Sequence, residues 1–176
     1  MSAVSISRRG RPRDDAMRGL DRGLFAADVA AETPRLLAAA RLILLNEAEA
    51  WDVVQTTAEI AIRRGADLRD PAALHSWLGV ILTREAFRLR RRARRALSFE
   101  NVHTELPSSP GPGVDRILVR DALARLPARI RTAVVLHHML GLSIAEVARA
   151  MSVSENTSRS QVRVGIAQLR EILSDE

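Results

Sequence analysis

A segment rich in proline, glycine and serine divides the sequence at residues 98–114, SFENVHTELPSSPGPGV. It contains three prolines, two glycines and three serines, a composition that interrupts regular structure and is typical of a linker. A chain of 176 residues has room for one ordinary domain or two small ones, and its 47% hydrophobic residues suffice for real cores. The break near the middle favours two small domains.

The residues on both sides of the break predict helices. There is no sustained alternation of apolar and polar residues, no Asn-Gly hairpin and no tyrosine, while Ala, Leu, Arg and Glu dominate. We therefore predict an all-α fold of two small helical domains, a four-helix domain over 20–97 and a helix-turn-helix domain over 115–176. Residues 1–19 are polar and basic, which predicts a disordered tail.

Turn signals place the individual helices. Thr33-Pro34 and Asp70-Pro71 each have the pattern of an N-cap followed by proline at the first helical position, and Gly65 could close the helix before the second pair. The first half is predicted to contain helices near 21–31, 34–45, 47–64 and 71–96. The second half is predicted to contain helices over Asp115–Leu126, Pro127–Met139, Ser143–Ala150 and Ser154–Leu173.

The charge balance favours a polyanionic partner. All 27 basic residues are arginine, and the formal net charge is +6. Cysteine is absent, which excludes disulfides, thiolate metal sites and a thiol nucleophile. No signal peptide or membrane-spanning run is present, so we expect a cytoplasmic protein without membrane insertion.

The sequence gives no indication of catalysis. The four histidines, His75, His103, His137 and His138, lack the spacing of metal ligands. No serine, acid or glycine-rich loop forms a hydrolase, kinase or nucleotide-binding signature. We therefore expect neither a metal nor a cofactor, and we expect that the protein is not an enzyme.

The segment GLSIAEVARAMSVSENTSRSQVRVGIAQLREIL is the most informative stretch. Ser143 and Glu146 form a capping-box pattern, a three-residue connection over 151–153 follows, and Ser154 is placed to cap a longer helix. Helical projection predicts one apolar stripe of Ser158, Val162, Ile166, Leu169 and Leu173. The opposite face carries Asn156, Thr157, Ser160, Arg163 and Val164, with Arg159 at its flank. A small, polar and basic face of this kind suits a helix that enters the DNA major groove.

Residues 87–95, FRLRRRARR, place six arginines and no acid between Arg88 and Arg95. Like charges three or four residues apart each cost an isolated helix roughly a few tenths of a kcal/mol. A phosphodiester backbone offsets this repulsion because each guanidinium can release a condensed counterion. The alternative is a solvated charged face produced by an arginine-rich composition. Of the aromatic residues nearby, Trp77 is predicted to be core, whereas Phe87 could either pack or stack on a base.

Both halves resemble the extracytoplasmic-function (group IV) sigma factors of bacterial RNA polymerase, within the sigma-70 family. ALARLPARIRTAVVLHHMLGLSIAEVARAMSVSENTSRSQVRVGIAQLR is similar to region 4 of that family. The first half resembles region 2 through the run Asp52-Val53-Val54-Gln55, the loop 64–70, the pair Trp77-Leu78 and the arginine run. Two matching halves in the family's order make the resemblance more specific than either half alone.

The resemblance implies a dissociable promoter-specificity subunit. It implies that the first half binds the beta-prime clamp helices of core RNA polymerase through Asp52, Gln55 and Glu59. It implies contacts with the minus-ten element from Arg64, Asp67, Arg69, Arg84, Phe87, Arg88, Arg91, Arg92, Arg94 and Arg95. It implies contacts with the minus-thirty-five element from Asn156, Thr157, Arg159, Ser160 and Arg163. The beta flap, promoter DNA and an anti-sigma factor complete the implied partners.

Several positions depart from the family pattern. Trp51 stands where an acid is common, and Thr56, Thr57 and Ala58 replace an acidic, apolar and aromatic run. Arg84 and Arg88 occupy positions where Asn and Asp are typical, and Gln161 and Val164 fall where arginines are frequent. The departures in 51–58 concern the polymerase contact. Those at Arg84 and Arg88 concern the minus-ten contacts, and those at Gln161 and Val164 concern the minus-thirty-five contacts.

Two other functions fit parts of the sequence. A stand-alone helix-turn-helix regulator would explain the second half alone, and a sigma-like decoy would bind an anti-sigma factor without DNA. Separately, RRGRPRD at residues 8–14 resembles an AT-hook, in which Gly-Arg-Pro lies in a narrow minor groove, but a single copy this short is a weak motif and a basic disordered tail is the favoured explanation.

Overall fold

The computed structural model describes residues 22–97 and 114–174, and every regular element in this part of the chain is helical. The all-α prediction is therefore confirmed. The predicted basic tail, its AT-hook-like motif and nearly all of the predicted linker lie outside the described residues. The helices are α1 Arg22–Leu44, α2 Glu47–Arg63, α3 Leu74–Leu97, α4 Val114–Arg125, α5 Ala128–Val134, α6 Ile144–Met151 and α7 Glu155–Ser174.

One predicted helix boundary is wrong, because α1 continues through Pro34. The proline ring removes one backbone donor and normally interrupts a helix interior. Here Pro34 is exposed, so the affected part of the backbone faces solvent, while Val29 and Leu36 are buried on the opposite side. Thr33 does not cap a new helix; its hydroxyl donates back to the Val29 carbonyl at 3.4 Å. Packing on both sides of the proline holds the two predicted helices in one.

The other predicted turns of the first half are confirmed. Asp70 accepts from the Ala72 N–H at 3.0 Å, and Pro71 begins a 3₁₀ turn that leads into α3. Gly65 follows α2 and begins a second 3₁₀ turn. A Cβ atom at Gly65 would lie 2.8 Å from the Phe25 ring, so this close approach between the turn and α1 requires glycine.

The helix predicted over Pro127–Met139 changes its winding halfway. Pro127 caps α5, and after Val134 the chain forms a π-turn over Val135–Met139. The Leu140 N–H donates to the Val135 carbonyl at 3.1 Å, five residues back, which is the π pattern. Gly141 then takes a φ of 70°, a left-handed conformation that favours glycine. Leu140 lies at the end of this turn, directly before Gly141.

The two halves of the chain pack against each other around one continuous apolar core. Leu78 and Leu82 of α3 are fully buried, as are Leu136 and Leu140 of the second half. Where the halves meet, Leu142 methyl groups lie 3.3 Å from the Cβ position of Gly79. Without a side chain at Gly79, the residues around Leu142 can approach α3 closely. The predicted domain bounds, 20–97 and 115–176, stay a prediction, but the two halves are in direct contact.

Arg131 joins the halves from within the core. It is 5% exposed, and its guanidinium donates to Ile43 O at 3.2 and 3.3 Å and to Leu126 O at 3.2 Å. Both acceptors lie at or just beyond helix ends, of α1 and α4, where carbonyls lack partners within the helix. Arg90 of α3 also donates to Ile43 O, at 2.6 Å. Burial and then the nearby Arg90 charge lower the pKa of Arg131 to about 10, so it remains protonated at neutral pH.

A second polar junction forms on the Leu140 carbonyl. Arg35 of α1 donates to it at 2.9 Å, and the His75 Nε2 contacts the same oxygen. The His75 Nδ1 lies 3.0 Å from a Glu32 carboxylate oxygen. We call the Ile43 and Leu140 carbonyls, with the side chains bound to them, the inter-half seam. Each half thus contributes side chains that bind a backbone carbonyl of the other half: Arg131 binds Ile43 O, and Arg35 and His75 bind Leu140 O.

We predict that Gly165→Ala lowers the free energy of unfolding by about 1–3 kcal/mol, the usual range for overpacking a core. Gly165 is buried where α7 crosses α5, and an added Cβ would lie 2.4 Å from the Val134 Cγ2 and 2.8 Å from the Ile130 Cγ2. Urea denaturation provides the measurement. Gly79→Ala is the control, since its nearest contacts would be at 3.3 Å, and a larger loss for Gly79→Ala than for Gly165→Ala would contradict the prediction.

Candidate DNA and polymerase interface

The helix-turn-helix has the predicted caps. Ser143 Oγ accepts from the Glu146 N–H at 3.3 Å, and the Glu146 carboxylate accepts from the Ser143 N–H at 2.8 Å. Burial alone would raise the pKa of Glu146, but the bonds that its carboxylate accepts from the Ser143 N–H and hydroxyl, a bond from Ser76 and the Arg149 charge lower it overall. Ser152 takes a φ of 55° in the turn, a conformation that non-glycine residues adopt infrequently. The sequence, which has no glycine here, did not reveal this conformation.

The N-terminus of α7 is fixed by Ser154, as predicted. Its hydroxyl accepts from the Thr157 N–H at 3.1 Å. Ser158 and Val162 are buried on the predicted inner stripe, whereas Leu173 at its far end is 44% exposed, so the stripe stops earlier than predicted. The five predicted minus-thirty-five residues, Asn156, Thr157, Arg159, Ser160 and Arg163, are all exposed. Arg159 Nη1 donates to the Asn156 Oδ1 at 3.1 Å, which links two of these side chains.

An open depression lies on the exposed face of α7. Its lining consists of Ile130 from α5 and of Asn156, Thr157, Ser160, Gln161 and Val164 from α7. Val164, which was predicted on this face, and Gln161, which was named only as a departure from the family pattern, therefore share a surface with three predicted contact residues. Ile130 is the contribution that sequence reasoning missed, because α5 is distant from α7 in sequence.

The arginines at the end of α3 divide into two groups. Arg88, Arg91, Arg92, Arg94 and Arg95 are exposed, as is Arg84. Arg90 points inward to the seam, and burial is the main cause that lowers its pKa. Arg88 is paired with Glu85, at 3.3 Å. Five of the six arginines are therefore exposed at the surface, and the sixth, Arg90, donates to a backbone carbonyl inside the fold.

The two aromatic residues of α3 both pack. Trp77 and Phe87 are partly buried against the core. The Arg129 guanidinium lies over the Phe87 ring, 6.0 Å from its centroid, at the outer limit for a cation–π contact. Of the two possibilities for Phe87, the structure therefore shows packing against the second half.

The loop residues and the arginine run are not brought together. Arg64, Asp67 and Arg69 are exposed beyond the start of α3, with Arg64 paired to Asp67 at 2.7 Å. Arg88 is 14 residues into α3, so the helix separates the two groups by roughly 20 Å at 1.5 Å per residue. A ligand that touches both groups must extend along α3.

The predicted polymerase residues share one face of α2. Asp52, Gln55 and Glu59 are exposed, and Gln55 Nε2 donates to the Glu59 carboxylate at 3.4 Å. Two exposed apolar side chains lie on the same side of the helix: Trp51, at 49%, and Ile62, at 56%. Sequence reasoning did not identify Ile62, although its spacing of seven from Gln55 would have placed it there.

Trp51 lies at the edge of this face, next to Glu47. The Glu47 carboxylate is paired with Arg41. The bond from Arg41 is the main cause that lowers the pKa of Glu47, and Trp51 adds to it. The position where the family usually has an acid thus presents an exposed indole next to a paired carboxylate.

The described residues contain no group of three or more His, Asp or Glu side chains that could hold a metal ion. In the same part of the chain, no helix has the length and apolar character needed to cross a membrane.

Comparison with known proteins identifies both the fold and the family. The family model for sigma-70 region 4 matches residues 116–169. The structure is similar to the sigma factor RpoE from Bartonella quintana, solved with the anti-sigma factor NepR. The TM-score is 0.78 and the identity 24%, over 85% of this chain and 96% of that one. It is also similar to CnrH, solved with the cytosolic domain of CnrY. That TM-score is 0.63 and the identity 25%, over 93% of this chain and 96% of that one.

The sequence relatives cover both halves. The ECF RNA polymerase sigma factor SigM of Mycobacterium tuberculosis is 35% identical over 143 residues, which is 76% of this chain and 69% of that relative. The RNA polymerase sigma-E factor of Streptomyces coelicolor is 31% identical over 144 residues, which is 78% of this chain and 79% of that relative. With its capped helix-turn-helix and its exposed arginine run, the chain belongs to the extracytoplasmic-function sigma factors.

Proposed function

We propose that this sigma factor binds core RNA polymerase through α2 and directs promoter-specific initiation through two DNA-binding surfaces. The arginine end of α3 and the loop before α3 bind the minus-ten element, and α7 binds the minus-thirty-five element. The observation that carries the proposal is the exposure of both basic surfaces on one fold, since α3 and α7 bury their apolar faces and leave these polar side chains outside. The polymerase carries out RNA synthesis, so no catalytic residue is assigned, and the protein acts in the cytoplasm.

The polymerase surface combines charge with apolar contact. Asp52, Gln55 and Glu59 supply acidic and amide groups, and Trp51 and Ile62 supply apolar area. Interfaces typically place buried aromatic anchors beside polar contacts of this kind. The beta-prime clamp helices are the proposed partner of this face, and the beta flap is the proposed partner of the second half.

Gel filtration or native mass spectrometry of the purified protein mixed with bacterial core RNA polymerase tests the proposal. We expect a one-to-one complex, and we expect Asp52→Ala combined with Gln55→Ala to weaken it at least tenfold. The control combines Asp28→Ala with Glu171→Ala, two exposed acids elsewhere on the molecule. DNA binding without any polymerase complex would instead identify a stand-alone helix-turn-helix regulator.

The arginine surface predicts a specific salt dependence. Replacing Arg91, Arg92, Arg94 and Arg95 with glutamine should reduce the slope of log K against log salt by up to about 3.5, because each phosphate contact contributes about 0.9. Fluorescence anisotropy of promoter binding by the holoenzyme, between about 50 and 200 mM salt, gives the slope.

The matched control for the salt experiment replaces Arg149 and Arg170, which are exposed elsewhere. These changes alter the net charge without touching the arginine run, so the slope should stay close to that of the parent protein. A quadruple variant with the parent's slope would show that the run is a solvated face and not a DNA contact.

We also propose an anti-sigma factor as a regulatory partner. Both similar structures above were solved with an anti-sigma factor or with the cytosolic domain of CnrY. A partner of this type should compete with core polymerase, so its addition to the preformed complex should release this chain. Binding to an anti-sigma factor together with an absence of both polymerase and DNA binding would identify the decoy function instead.

A further inference from the structure

Gln161 and Val164 lie on the DNA-facing side of α7 without an assigned role. They line the same open depression as Asn156, Thr157 and Ser160. At 100° per residue, Gln161 and Arg163 fall at opposite edges of this face, with Val164 between them. The depression is thus a mixed surface, with an amide at one edge and an aliphatic group near its centre.

Gln161 carries an unused hydrogen-bonding group. Its Oε1 is shielded from solvent and has no hydrogen-bond partner among the described residues. Buried polar atoms are nearly always paired, so an unpaired one needs an explanation. A glutamine amide can pair bidentately with adenine in the major groove, accepting from N6 and donating to N7. Rotation of the terminal amide would turn Oε1 towards a base that occupies the depression.

Val164 supplies the apolar part of the same surface. It is half-buried, and Ile130 of α5 is the other aliphatic residue that lines the depression. Residues three apart are neighbours on a helix surface, so Val164 lies beside Gln161. The only apolar group that DNA bases present in the major groove is the thymine methyl. An amide next to an aliphatic side chain therefore matches adenine and thymine better than a G·C pair, which offers the amide no bidentate partner of the adenine type and has no methyl group.

We propose that Gln161 and Val164 select A·T base pairs in the minus-thirty-five element, Gln161 by pairing with adenine and Val164 by contact with a thymine methyl. The inference rests on the proposed role of α7 and adds the base specificity of this chain. Arginine at either position would have favoured guanine or phosphate.

The test is a binding selection with the holoenzyme on duplexes that are randomised across the minus-thirty-five region. The parent protein should enrich A·T pairs at one or two adjacent positions. Val164→Ala and Gln161→Ala should each lose that preference while keeping the rest of the selected sequence. Arg163→Ala serves as the comparison, since it should weaken binding while leaving the A·T preference intact.

Base analogues then test the parent protein without any substitution that could affect folding. Replacing the selected thymine with deoxyuridine removes only the methyl group and should weaken binding three- to fivefold, the effect of one buried methyl. Replacing the selected adenine with 7-deazaadenine removes the N7 acceptor and should weaken binding about tenfold. Val164→Ala should be insensitive to deoxyuridine, and Gln161→Ala should be insensitive to 7-deazaadenine.

Two results would overturn the inference, and they are distinguishable. In the first result, the parent protein enriches a minus-thirty-five sequence and Arg163→Ala weakens binding to it, but the A·T preference is absent or survives both Gln161→Ala and Val164→Ala. Only the assignment of Gln161 and Val164 then fails. If no sequence is enriched and Arg163→Ala has no effect, the proposed role of α7 fails and this inference fails with it.

Discussion

Replacing Arg131 with methionine should lower the free energy of unfolding by about 2–4 kcal/mol, because the Leu126 and Ala124 carbonyls would lose their charged donor and the Ile43 carbonyl would keep only Arg90. The guanidinium reaches Ile43 O in one half, and Leu126 O and Ala124 O in the other. Methionine fills much of the same volume but donates no hydrogen bond. Urea denaturation gives the midpoint and the slope m. Since Arg131 is charged in both folded and unfolded chains near neutral pH, the loss should be constant between about pH 6 and 8.

Arg129→Met is the matched control, two residues earlier on the same helix. Arg129 is exposed, and its contact with Phe87 spans 6.0 Å, so the change should cost about 0.5 kcal/mol or less. Arg131→Lys should fall between the two, because one ammonium group cannot reach acceptors on both sides of the seam as a planar guanidinium does. Equal stabilities for Arg131→Met and Arg129→Met would mean that Arg131 does not hold the halves together.

A crosslink between the two halves should reduce promoter-specific transcription more than tenfold. On the proposed function, the two DNA elements are centred about 25 base pairs apart, or roughly 85 Å of B-form DNA. Two packed halves of this size span roughly 40 Å, so the halves must separate for both to engage DNA. Gly79→Cys combined with Leu142→Cys places two thiols where the halves meet. Single-round transcription before and after oxidation gives the effect.

The chain is well suited to this experiment because its sequence contains no cysteine. Oxidation should leave the parent protein and each single variant unchanged, and a reductant should restore the activity of the double variant. Comparison with the reduced double variant separates the effect of the crosslink from any loss of stability that the substitutions cause. Full transcription by the oxidised, crosslinked protein would show that the halves need not separate.

Local signals in the sequence were sufficient for most of the helix ends. The caps at Asp70, Ser143 and Ser154 depend on hydrogen bonds within three residues, so the pattern of residue types was enough to place them. Pro34 shows where such signals fail. Thr33-Pro34 has the same cap-and-proline pattern as Asp70-Pro71, yet it lies inside α1, because burial on the opposite face outweighs the lost backbone bond.

The orientation of the candidate site residues was predictable on α7 but not on α3. All five polar residues assigned to the exposed face of α7 are exposed, since helical periodicity fixes the face. The sequence alone did not indicate which arginines of the run are exposed and which one points inward. Arg90 is chemically identical to Arg91 and Arg92, and only the Ile43 carbonyl, 47 residues earlier, distinguishes it. The inter-half seam depends entirely on such distant contacts, and neither composition nor spacing contains them.

The π-turn after α5 acts as a phase shift in the second half. One extra residue in a helical turn rotates everything that follows by about 100° relative to a continuous α-helix. The rotation lets α5 keep its packing on α7 while the Leu140 carbonyl faces Arg35 and His75. A relative that lacked this extra residue could retain the whole helix-turn-helix and yet lose this junction. The DNA-reading surface and the contact between the halves can therefore diverge independently, because the presence or absence of one residue in the π-turn changes the second without changing the first.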